Sequence, residues 1–296
     1  MLHLSRGSVA RVNRVAALVA KSRKRVSWII ETVTWQLRAP YFRAINHRSE
    51  PLGITIGITT YKDRFDSCLK PLLPKVNALF PKEQVIVIAN GHYRKEEQGR
   101  FLDRFNAFCS HYGRIMTVTY TDPVGLSRLW NVIISKAQYP KVLILNDDIM
   151  IRPGFRRLVK GLMTRNEPVV TVNGSWSHFL ITAEAVESVG LFDEGLREIG
   201  GEDDDYLARM AIAGIIPGNI ITSSVSGRSK RRMKTGGLNS YGRDMSLQAG
   251  GYSTLNTEYL LSKWETSDIY FEGAVEVPGR KTRYWKPREV QGDKEK

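Results

Sequence analysis

Three short runs constrain this chain more than anything else in it: LGITIGITT at 52–60, QVIVIA at 84–89 and VLILN at 142–146. None shows the polar alternation of a strand with one face in water, so each reads as a strand buried on both faces. Between them lie stretches with helical spacing at Phe65–Phe80, Arg94–Tyr112 and Leu126–Ala137, and a further strand at Arg114–Tyr120. This alternation predicts an α/β fold with a mostly parallel central sheet, because right-handed crossovers align such strands. Their C-terminal ends then share one edge, which is where open α/β sheets bind ligands.

The third run ends in Asn146-Asp147-Asp148 ahead of a Pro153-Gly154 turn. Two adjacent carboxylates repel each other, and hard oxygen ligands suit magnesium or manganese bridging to a phosphate. The alternative is that both acids cap the next helix. The first strand ends Thr59-Thr60-Tyr61-Lys62-Asp63-Arg64. Hydroxyls, an aromatic ring and a guanidinium at a helix start can hold a nucleoside and its phosphates. A turn with Asp63 as a helix cap is the plain alternative. Asn90, Gly91 and Asp122 fall on the same edge. Neither GxGxxG after the first strand nor GxxxxGK[ST] occurs, so the dinucleotide fingerprint and the Walker loop are missing.

Beyond the carboxylates, Val169–Asn173 and Ser177–Thr182 read as strands, with Trp176 and His178 between or on them. A lone His on a strand is as a rule a structural residue, and Trp176 can be core as readily as a platform for a sugar ring. Gly200-Gly201 then form a turn before Glu202, Asp203, Asp204 and Asp205, which open a helix whose Tyr206, Leu207, Met210 and Ile212 face the core. One or two acids in a first helical turn are favoured by the helix dipole. Four in succession exceed what capping requires, which points to at least one as a base.

The formal charge of +14 is concentrated outside this stretch. Residues 1–50 carry ten basic and two acidic side chains, and 228–234 carry five basic and none acidic. The sequence divides into a basic amphipathic helical extension at 1–50, a nucleotide-binding and catalytic domain at 51–225, and a mobile basic loop, closing helix and basic tail at 226–296. The first segment sets Val9, Val12, Leu18, Val26 and Ile29 among Arg and Lys, with Trp28, Trp35, Tyr41 and Phe42 near its end. That pattern suits docking on an anionic membrane surface, with packing on the main domain or a second subunit and an organelle-targeting peptide as alternatives. No run approaches the roughly 20 apolar residues that cross a bilayer. Cys68 and Cys109 fall in apolar helical patterns and read as buried free thiols of a reducing compartment.

In order and spacing, LGITIGITTYKDR, QVIVIANG, GLSRLWNVIISKA, VLILNDDIMIRPG and GLFDEGLREIGGEDDDYLARMAIAG resemble the family 2-like inverting glycosyltransferases of the GT-A fold. The resemblance covers about residues 52–215. It implies a Rossmann-like sheet, a nucleotide-sugar donor linked through UDP or TDP, a divalent metal (Mn2+ or Mg2+) at the DxD-type motif, and an acidic base beside the acceptor. It places Thr59, Thr60, Tyr61, Asn90 and Asn131 at the nucleotide, and Asp148 at the metal with Asp147 as runner-up; Arg64 and Asp147 are further candidates for the nucleotide. Asp203 becomes the catalytic base with Glu202 beside it, and Trp176, His178 and Gly201 lie at the donor or acceptor sugar. Three positions depart from the family pattern: Asn90 stands where an Asp often reads the base, Trp130 stands where an Arg precedes Asn131, and Asn146 stands for the first acid of the DxD motif.

The expected activity is therefore transfer of a sugar, with inversion, to a glycan or glycolipid in polysaccharide biosynthesis. The location that goes with it is cytoplasmic, peripheral on the inner face of a membrane. A sugar-phosphate nucleotidylyltransferase would open with a Gly-rich signature that is not here. A catalytically silent carbohydrate- or nucleic-acid-binding protein using the basic arms is the alternative. Nucleic acid in the cleft is disfavoured because clustered acids repel phosphates.

Overall fold

The computed structural model describes residues 33, 35, 37–92, 94–198, 200–227 and 254–264. The basic run 228–234, the tail from Arg280 and most of the amphipathic arm lie outside the described residues.

A seven-stranded sheet has the order β3-β2-β1-β4-β7-β6-β8. The strands β1 (Thr55–Thr60), β2 (Gln84–Ala89), β3 (Ile115–Thr119) and β4 (Lys141–Asn146) are mutually parallel. β7 (Ser175–Thr182) runs antiparallel to β4 and to β6 (Val169–Val172), and β8 (Gly218–Ile220) pairs parallel with β6. The expected α/β architecture with a mostly parallel sheet is what is found. Every residue of β1 and β2 is buried, which is why their sequences lack alternation.

One face of the sheet is covered by α1 (residues 37–48), α2, α3 (Lys95–Ser110) and α5 (Phe155–Met163). The helix α2 begins as Lys62–Arg64, passes through a π-helical turn at Phe65–Leu69 and continues as Lys70–Leu79. Phe65 in that turn makes edge contacts with Phe101 and Phe108, fixing the start of α2 on α3. The other face is covered by α4 (Leu126–Ser135), α6 (Ala183–Val189) and α7 (Glu202–Ile212). There α4 comes so close to β1 that a Cβ at Gly57 would collide with Ile133.

Several elements were not foreseen, β8 and α6 among them. After the carboxylates, β5 (Ile149–Ile151) leaves the main sheet and pairs antiparallel with β9 (Val225–Gly227). The expected core face of α7 is also corrected at one position: Tyr206 and Met210 are fully buried, but Ile212 is 72% exposed. A last helix, α8 (Thr254–Lys263), lies where the 226–296 segment was expected to hold a closing helix. Among the described residues no helix is long and apolar enough to cross a membrane.

Candidate active site

The end of β4 is built around a charge bridge. Asp147 is 1% exposed, and its Oδ2 accepts a hydrogen bond from the Thr60 hydroxyl at 2.6 Å. Its Oδ1 accepts one from Nη1 of Arg64 at 3.0 Å, while Nη2 of the same guanidinium lies 3.2 Å from Oδ2 of Asp148. One cation therefore holds two adjacent carboxylates. This overturns the capping alternative, since α5 begins only at Phe155 with Gly154 as its N-cap. Burial pushes the Asp147 carboxyl up to about 6 against the pull of Arg64. Burial disfavours the Arg64 cation too, but Asp147 and Asp148 outweigh it and hold that group above its ordinary value. Tyr61, whose ring lies 5.3 Å from the guanidinium carbon, is pushed up to about 12 by burial. Thr59 is buried at the same strand end.

Asn90 and Asn131 have their carboxamides occupied within the protein. Asn90 donates to the Val124 carbonyl at 2.9 Å and accepts from the amides of Gly91 and Val124, tying the loops after β2 and β3 together. Asn131 donates to the Phe192 carbonyl at 2.8 Å and to Glu194, and accepts from the Phe192 amide. It thus fixes the Gly190–Glu194 stretch against α4. Trp130, where the resemblance implies an Arg, is core: its ring packs edge-on against Phe179 and Phe192.

Strand β7 links the two acidic groups, because it runs antiparallel to β4 and so starts where β4 ends. His178 sits opposite Leu145, is 5% exposed, and has both ring nitrogens buried without a partner among the described residues. Burial pulls its imidazole down to about 4, opposed by the charge of Asp148. Two residues earlier, the Trp176 ring lies 6.1 Å from that of Tyr206, which follows the acids of α7 directly.

The α7 acids divide by partner. Gly201, at φ 91, holds a left-handed conformation open to glycine, and a Cβ there would approach Leu260 of α8. Both oxygens of Glu202 accept from the Gly200 amide, at 3.0 and 2.9 Å, so this side chain closes the turn. Asp205 accepts from Arg209 at 2.9 Å, Lys263 at 2.6 Å and the Trp264 indole at 3.1 Å, and so anchors α8. Helix α8 also grips the turn through Asn256, which donates to the Gly200 carbonyl at 2.8 Å, and through Tyr259 and Lys263 on Asp193. That leaves Asp203 and Asp204, half-buried and without a cationic partner among the described residues. Burial raises Asp203, and burial together with the charge of Asp203 pushes Asp204 up to about 7. Glu202 is pushed up to about 8 by burial and by Asp203. Asp204 was not singled out from the sequence. Its signal was the unbroken acidic run, which does not say which members find partners.

No protein-family model matches this sequence, and no curated protein matches it. Solved structures show likenesses at low identity. One is GalNAc-T7 with UDP, GalNAc and Mn2+, at 13% identity and TM-score 0.48, covering 61% of this chain and 44% of that one. A second is the mannosyltransferase PcManGT from Pyrobaculum calidifontis with GDP-Man and Mn2+, at 13% identity and TM-score 0.47, covering 81% and 78%. A third is glucosyl-3-phosphoglycerate synthase from Mycobacterium tuberculosis with Mn2+, UDP and glucosyl-3-phosphoglycerate, at 15% identity and TM-score 0.45, covering 78% and 86%. This chain spans less than half the length of the first of them.

Proposed function

We propose that this protein is a glycosyltransferase that moves a sugar from a nucleotide-sugar donor to an acceptor hydroxyl with inversion. The observation that carries the reading is the division of acids between β4 and α7: a carboxylate pair held by Arg64, and on α7 raised acids with no cation on Asp203 or Asp204 among the described residues. The first suits a diphosphate with its counter-charge; the second suits proton removal.

An acceptor hydroxyl is a poor nucleophile at neutral pH. Asp203, poised by burial, takes the hydroxyl proton as the oxygen attacks the anomeric carbon from the face opposite the leaving diphosphate. Glu202 holds the Gly200-Gly201 turn that aims Asp203. Thr59, Tyr61 and Arg64 line the donor end.

The donor set at β4 suits a hard divalent cation such as Mn2+ or Mg2+. Asp148 offers a partly exposed carboxylate, and His178 offers a neutral imidazole with both nitrogens unpartnered among the described residues. Among the described residues no three His, Cys, Asp or Glu side chains gather, so diphosphate oxygens or water would complete the shell. When bound, such an ion stabilises negative charge developing on the departing diphosphate.

The test is a thermal-shift panel of UDP, TDP and GDP with and without Mn2+, followed by product release from the matching sugars. Metal-dependent stabilisation by a nucleoside diphosphate, with turnover of its sugar conjugate, supports the assignment. Stabilisation by oligonucleotides alone, with no turnover of any donor, overturns it.

A further inference from the structure

The helix α1 has two apolar faces, and the fold uses one of them. Ala39 and Phe42, with Trp35 just before, turn inward onto the core, and Asn46 donates to the Ala78 carbonyl at 3.1 Å. On the opposite face Val33, Leu37, Tyr41 and Ile45 recur at every fourth residue and are 46%, 76%, 63% and 44% exposed. A single exposed apolar side chain needs no explanation, but four in line on one helical face do. Exposed Arg38 lies beside the stripe and exposed Arg48 just beyond Ile45, and no Asp or Glu occurs between Glu31 and Glu50. On its other flank α1 borders a cavity of about 720 Å³ whose lining includes Arg43, His47, Lys70 and Lys75 and no carboxylate.

We propose that this face of α1 is where the protein lies on an anionic lipid bilayer, with Leu37, Tyr41 and Ile45 entering the headgroup boundary. Charge decides the occupant. Apolar side chains with cations beside and beyond them, and no acid within the helix, complement acyl chains beneath anionic headgroups. The inference is independent of the nucleotide-sugar reading, since none of these residues belongs to the candidate active site.

The full-length protein tests it. Cys68 and Cys109 are buried, so a cysteine introduced as Leu37→Cys can be labelled selectively with an environment-sensitive fluorophore. Phosphatidylglycerol vesicles should shift its emission to the blue, and phosphatidylcholine vesicles should not. Leu37→Ser/Tyr41→Ser/Ile45→Ser should lower co-sedimentation with the anionic vesicles at least tenfold at an unchanged unfolding temperature. Arg38→Glu/Arg48→Glu should remove the preference for anionic lipid. Unchanged vesicle binding by both variants, or an unshifted probe, overturns the proposal. So does a dimer of the wild-type protein that the triple serine variant dissociates while vesicle binding persists; that result assigns the stripe to a second copy of the chain.

Discussion

Two groups of carboxylates meet opposite fates in this molecule. Asp147 is almost wholly buried, yet it is held by a hydroxyl and a guanidinium, and that guanidinium serves Asp148 as well. On α7, Glu202, Asp203 and Asp204 lie side by side at a helix start, while Arg209 and Lys263 pair with Asp205. The helix dipole favours these acids, but only by about a kcal/mol at best for an exposed group. Burial and mutual repulsion outweigh it, so their protons are held more tightly than usual. One pair shares a cation; the other cluster has none on Asp203 or Asp204 among the described residues.

The largest expected effect breaks the cluster. Asp203→Asn should lower transfer by roughly 10²–10⁴-fold, the range for loss of a general base. Donor affinity, measured by calorimetry, should change little; a variant that loses donor binding but keeps its turnover per bound donor would remove Asp203 from the role of base.

Breaking the pair should act on stability instead. Arg64→Leu leaves Asp147 buried without its cation, and urea unfolding should show a loss of about 3–5 kcal/mol. Adding Asp147→Asn to that variant should recover part of the loss, because the uncompensated charge is then gone.

A third substitution sharpens the contrast through pH. The Glu202 proton is bound more tightly in the folded protein, at about 8, than in the unfolded chain. Its contribution is fully present below the ordinary carboxyl range and is lost as pH rises toward 8, so stability falls along that window. Glu202→Gln should flatten this slope, a difference on the order of a few kcal/mol at pH 8 by linkage. An equally steep slope in the variant would show that Glu202 titrates normally.

The smallest expected effect is Thr60→Val, which removes one hydrogen bond to a charged acceptor and should cost roughly 2 kcal/mol. Asp147, left with Arg64 alone, should then titrate higher still, measurable by NMR of the carboxyl carbon.

Much of the framework was legible in the residues. The unalternating runs at 52–60, 84–89 and 142–146 became β1, β2 and β4, because a strand buried on both faces has no polar side to display. The acids at both sites were visible as clusters. Their partners were not: Arg64 meets Asp147 across 83 positions, and Lys263 meets Asp205 across 58. Nothing local distinguished Asp205, which anchors α8, from Asp203 and Asp204, which have no such bond among the described residues.

The amphipathic segment shows the same boundary. Its aromatic residues near 35–42 all read as candidates for a membrane surface, but Trp35 and Phe42 pack inward while Tyr41 faces solvent. Sequence by itself determined that the central strands are buried on both faces and where the acids cluster, because burial preference and strand periodicity act over a few residues. Which acids are neutralised, and which face of α1 is left outside, only the tertiary structure decided, because a charge's free energy depends on what surrounds it in space.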